Sequence, residues 1–215
     1  MNFSRRAAIP LALAMLVVSA VLASSAAATT PQWIVEGSPL AAGAKEPLAE
    51  STKVTETFAI KSTVSGVSLK VACTGMTLHG ARIVGEQTRI DEHFKMEGCT
   101  FTGPPNCSVP SAIELESLTS MLEGSSGSFK LKFVPTVAGP VMTINISGAG
   151  CAIAGAFVVK GTMSCNYPGV ETEAKNHLLE FSLTSGTELL HGTDKVTLTG
   201  KDEFWLTSNK NWKVA

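Results

Sequence analysis

Short stretches in which apolar and polar residues take turns dominate this chain, and they constrain its fold more than any other feature. Val67, Leu69, Val71 and Cys73 fall on one face of an extended segment. Ile90, Phe94 and Met96 oppose Arg89, Asp91, His93 and Lys95. Phe129, Leu131 and Phe133 alternate with Lys130 and Lys132, and Met142, Ile144 and Ile146 with Thr143 and Asn145. The pattern continues through Phe157 and Val159, then Leu179, Phe181 and Leu183, then Val196 and Leu198, then Phe204 and Leu206. A period of two places every second side chain on the same side of a pleated strand. Turn residues separate the segments, among them Gly103-Pro104-Pro105 and Gly124-Ser125-Ser126-Gly127, as strand connections require. The stretch Ser111 to Glu123 fits a short helix nearly as well as a strand and is assigned as strand. One apolar face per strand implies antiparallel sheets covered on one side. The expected fold is therefore all-β: an antiparallel β-sandwich or barrel-like single domain, stabilised by disulfides.

The first 28 residues read differently. Arg5 and Arg6 precede an apolar run from Ala7 to Ala23, and Ala26-Ala27-Ala28 offers a small-x-small cleavage site. This is the pattern of a secretory signal peptide, residues 1–28, of bacterial style. Residues 29–53 form an N-terminal segment with a short strand at 33–35, and 54–215 the all-β domain. No later run is long and apolar enough to span a bilayer, so the expected location is secreted and extracellular, with no membrane span after signal removal. The formal charge of -1 becomes -3 once the two signal arginines are gone. Such a balance disfavours nucleic acid as a partner, because phosphate backbones select a clustered basic surplus.

Five cysteines remain after the signal: Cys73, Cys99, Cys107, Cys151 and Cys165. In an exported chain they read as disulfide partners, and their spacing matches no zinc site. The Gly/Pro-rich loop between Cys99 and Cys107 favours closing that pair, with Cys73–Cys151 as the second bond and Cys165 free. Cys73–Cys99 is the rival pairing. Cys151 and Cys165 are kept apart by the extended strand expected between them.

The search for chemistry yields little. No nucleophile elbow, P-loop, dinucleotide fingerprint or H-E-x-x-H occurs, and no cofactor is implied. A hairpin closed by Gly85-Glu86-Gln87 would set His79 opposite His93, where two imidazoles could share a metal, although a third ligand is missing. Glu114 and Glu116 share one strand face, a weak hint of a carboxylate pair. Calcium ligation is unsupported, because the three Asp residues are scattered. Alternation turns Trp205 outward between Phe204 and Leu206, so Trp205 is the candidate binding residue. Trp33 and Trp212, near the two ends of the domain, are expected to close the core.

The leader, Cys73, Phe101-Thr102-Gly103, Cys107, and Gly148-Ala149-Gly150-Cys151 followed by Gly155 and Val158-Val159-Lys160-Gly161 together resemble a loose group of secreted bacterial all-β proteins of no assigned activity. The resemblance covers residues 70–165. It implies an all-β fold and supplies no catalytic residues. The functional expectation is a secreted non-enzymatic protein acting as an extracellular or envelope-associated interaction module, with an extracellular or cell-envelope partner. The alternatives are an extracellular carbohydrate-active hydrolase and a small-ligand carrier.

Overall fold

The computed structural model describes residues 30–50, 56–85, 89–182 and 188–215. The signal peptide expected at 1–28, the tip of the expected hairpin at Glu86-Gln87, and Leu183 lie outside the described residues. Fifteen β-strands and no helix occur among those described: β1 (Trp33–Val35), β2 (Ser38–Pro39), β3 (Lys45–Glu50), β4 (Glu56–Val64), β5 (Val67–Val84), β6 (Arg89–Thr102), β7 (Ala112–Glu114), β8 (Leu118–Glu123), β9 (Lys130–Pro135), β10 (Met142–Ile146), β11 (Gly155–Asn166), β12 (Asn176–Phe181), β13 (Glu188–His191), β14 (Asp194–Leu206) and β15 (Trp212–Val214). The described residues are all-β, and their strand pairings are antiparallel, as the alternation predicts. The segment from Ser111 to Glu123 holds two strands, β7 and β8, separated at residues 115–117, and no helix.

Eight of these strands pair with their successors in chain order. β4 pairs β5, then β6, β8, β9, β11, β12 and β14 follow, and β14 pairs back to β4. The hydrogen bonding therefore closes these eight strands into an up-and-down ring, in which each has a neighbour on both sides. Four shorter strands are continuations of interrupted ones. β3 touches β5 and β14, as β4 does. β7 shares β6 with β8, β10 shares β11 with β9, and β13 lies between β11 and β14, as β12 does. The N-terminal segment thus carries more of the fold than the sequence predicts, because β3 belongs to the ring.

The core fills the middle of this ring. Phe58, Phe94, Phe133 and Phe181 are almost fully buried and stand on β4, β6, β9 and β12, every second strand of the eight. Phe181 meets Phe58 at 5.4 Å, Phe133 at 5.8 Å and, across the ring, Phe94 at 6.4 Å between centroids. Phe94 and Phe133 meet at 5.4 Å. Inward side chains from alternate strands form such layers in small barrels, and edge-on ring contacts add to the burial term. Opposite walls meet as in a sandwich, while the ladder runs round as in a barrel.

The terminal strands cap one end. β1 pairs β15, with Val35 opposite Trp212, and the Trp33 and Trp212 rings lie 5.7 Å apart. Both tryptophans close the core, as expected from their positions. Trp212 Nε1 donates to the Lys175 carbonyl at 2.9 Å, and Tyr167 and His177 pack edge-on against the Trp212 ring.

The four bonded cysteines are those expected, and Cys165 is buried and in neither disulfide, but the pairing is the rival one and its complement. The bonds are Cys73–Cys99 and Cys107–Cys151, not Cys99–Cys107 and Cys73–Cys151. Cys73 and Cys99 face each other directly on β5 and β6, so no loop need bend to join them. The loop after β6 instead docks against the turn after β10. Ser108 pairs Ser147, and a side chain at Gly148 would collide with the Asn106 carbonyl. That close approach brings Cys107 beside Cys151.

Candidate functional site

The ring sends one residue of each strand pair inward and the next outward, so any site is either buried in the wall or carried on the outer surface. Trp205 is on the outside, half-buried, between the buried Phe204 and Leu206. Its cross-strand neighbours are Asn176 on β12 and Ala49 on β3. Leu178, also outward and half-buried, is one register step away opposite Glu203. The alternation therefore assigns the direction of Trp205 correctly.

His79 and His93 do face each other and are exposed. They arrive there by a different route from the expected one. Arg82 faces Asp91 and Ile83 faces Ile90, and a bulge between His79 and Arg82 then shifts the register. Gly80 supplies the positive φ of 73° there, which a β-branched or bulky residue would adopt at a cost. Ser117 Oγ lies 3.3 Å from His93 Nε2. Among the described residues no group of three or more His, Cys, Asp or Glu is placed to hold a metal ion. Glu114 and Glu116 are exposed, and the residue opposite Glu114 is Lys95 rather than a second carboxylate.

Two arrangements were not read from the sequence. The first is inside the wall. β14 turns Val196, Leu198, Gly200, Asp202, Phe204 and Leu206 inward. Gly200 sits there because a Cβ would lie 2.5 Å from the Phe58 ring. Asp202 is fully buried, opposite Leu179. One carboxylate oxygen accepts the Glu203 N–H at 2.9 Å and the other has no partner. Burial pushes this carboxyl up to about 7, against the lowering effect of the Glu203 N–H and with some help from the charges of Glu50 and Glu203. His177 is inward on β12, opposite Phe204. Its Nε2 lies 2.7 Å from the Trp212 carbonyl. Burial holds its imidazole below the ordinary histidine value, although the Trp212 and Ala174 carbonyls favour the charged ring. His177 thus ties the terminal cap to the wall.

The second arrangement is outside, near the turn between β4 and β5. Lys61 stands directly opposite Lys70. Thr197 flanks Lys61 on β14, and Thr102 flanks Lys70 on β6. With Lys195 and Ser68 they line a groove of about 560 Å³, with no carboxylate among the described residues that line it.

No helix among the described residues is long and apolar enough to cross a membrane. Compared with protein-family models, with curated proteins and with solved structures, the chain matches none.

Proposed function

We propose that this chain is an exported, non-enzymatic binding module that acts outside the cell or at its envelope, in a bacterial setting, and engages its partner through the outer surface of the barrel. The single observation that carries this reading is the filled ring. Four phenylalanines meet across the space that a barrel carrier would keep for its ligand, and close-packed interiors leave few voids larger than a water molecule. Binding is thereby directed to the exterior, where Trp205 presents an amphipathic ring flanked by small and polar neighbours. The two disulfides suit an oxidising compartment.

The test has two parts. Expression of the full chain in a bacterial host should yield extracellular or envelope-associated protein beginning at Thr29, with one thiol that reacts only after unfolding, since Cys165 is fully buried. Co-sedimentation with isolated cell-envelope fragments should weaken about tenfold in Trp205→Ala, the scale of an aromatic anchor, with an unchanged Tm. Retention in the cytoplasm with all five cysteines reduced would overturn the export, and equal sedimentation of Trp205→Ala would overturn the binding surface.

A further inference from the structure

We infer that the groove beside the β4–β5 turn is a binding site for a soluble polyvalent phosphate. This goes beyond the reading centred on Trp205 and does not depend on it. The chain as a whole is slightly acidic, yet this face is basic. Lys95, Lys132, Lys201 and Lys210 each pair with a glutamate. Lys61, Lys70 and Lys195 take part in no ion pair among the described residues.

The register makes this more than a scatter of surface lysines. Lys61 and Lys70 occupy directly facing positions on adjacent strands, about 5 Å apart at their Cβ atoms. Like charges so placed repel and destabilise the pair. An anion seated between the two ammonium groups would turn that repulsion into attraction. Lys195, which precedes Val196 on β14 and faces Leu190 on β13, adds a third charge at the side of the groove.

Hydroxyls share the lining with Leu69 and Gly103. Thr102 and Thr197 sit at the two ends of the row through Lys70 and Lys61, and Ser68 borders it on the turn side. Ammonium and hydroxyl groups both donate, which suits phosphate oxygens that only accept. A volume of about 560 Å³ falls within the range of small-molecule sites, roughly 300–1,000 Å³, and exceeds what a single oxyanion needs. Three positive charges and no lining carboxylate select a polyvalent anion over a monovalent carboxylate. Lysine, a compact and mobile charge, tolerates varied phosphate geometry better than the fixed fork of arginine does.

The experiment is calorimetric titration of the folded protein with tripolyphosphate at low ionic strength. Wild type should bind saturably with one site per chain. Lys61→Gln/Lys70→Gln should weaken binding by about tenfold or more, the scale of a lost charge-assisted hydrogen bond. The same variant without ligand should melt no lower than wild type, because its facing charges are gone. Lys61→Arg/Lys70→Arg should stay within about threefold of wild type, as should Lys45→Gln on β3. Absence of saturable binding would overturn the assignment, and so would equal affinity in the Gln double variant. Vesicles containing phosphatidylglycerol form the last arm. Adsorption to them without any binding of tripolyphosphate would also overturn it, by assigning the lysines to a lipid surface.

Discussion

Replacing Phe181 by Ala should cost about 4 kcal/mol of unfolding free energy, within the range for deleting a buried phenylalanine. Phe181 is the one ring that touches all three others in the barrel layer, Phe58, Phe94 and Phe133. Removing it takes contacts from three strands at once, and the surrounding wall is held in its closed hydrogen-bonded register, so it relaxes little. Denaturant unfolding followed by far-ultraviolet circular dichroism measures the loss. Phe129→Ala, just before β9, slightly more exposed and outside the four-ring layer, should cost less. Equal costs at the two positions would show that the layer has no special place in the core.

The second large effect is at Asp202. Its carboxyl titrates at about 7 in the folded chain and at the ordinary 3.8 when unfolded. Between those values the folded state holds the proton and the unfolded state releases it. Stability from this group is therefore fully present below 3.8 and is lost as the pH rises through 7. The shift corresponds to about 4 kcal/mol. Asp202→Asn, which cannot ionise, should be close to wild type near pH 4 and more stable by up to about 4 kcal/mol at pH 8. His177 contributes the opposite slope. Its folded value is lowered, so the unfolded state takes up the proton first and stability falls as the pH drops below 6.5. Asp202→Asn should thus remove the decline toward alkaline pH and leave the acid-side decline in place. Chemical denaturation from pH 4 to 8 decides this. An unchanged difference between variant and wild type across that range would mean that Asp202 does not titrate as its burial requires.

The alternation at Phe129–Phe133, Met142–Ile146 and Leu179–Phe181 was sufficient to identify those strands and their inward faces, because burial on one side enforces period two. It failed where the inward position is not apolar. β14 reads as two segments in sequence because Gly200 and Asp202 interrupt the run from Val196 to Leu206. β4 escapes notice because Ser62 follows Phe58 and Ile60 on the inner face, where its hydroxyl donates to the Lys195 carbonyl at 2.9 Å. Cysteine spacing shows which loops are short but not which strands are adjacent, so the five residues were right and the bonds were not. The outward direction of Trp205 was legible from its two neighbours alone. The lysine groove was not, since Lys61 and Lys195 are brought together only when β14 returns to β4.

That return of β14 to β4 is what closes the eight strands into a filled barrel. Nuclear Overhauser contacts between β4 and β14 test it most directly. The backbone of Ile60 should contact that of Leu198, and Ser62 that of Val196, in the same monomeric sample that shows β5–β6 contacts around Cys73 and Cys99. Strong cross-strand signals at both positions are expected, with slow amide exchange along β14. Rapid exchange along β4 and β14 with no contacts between them would contradict the closed ring and return the chain to two open sheets.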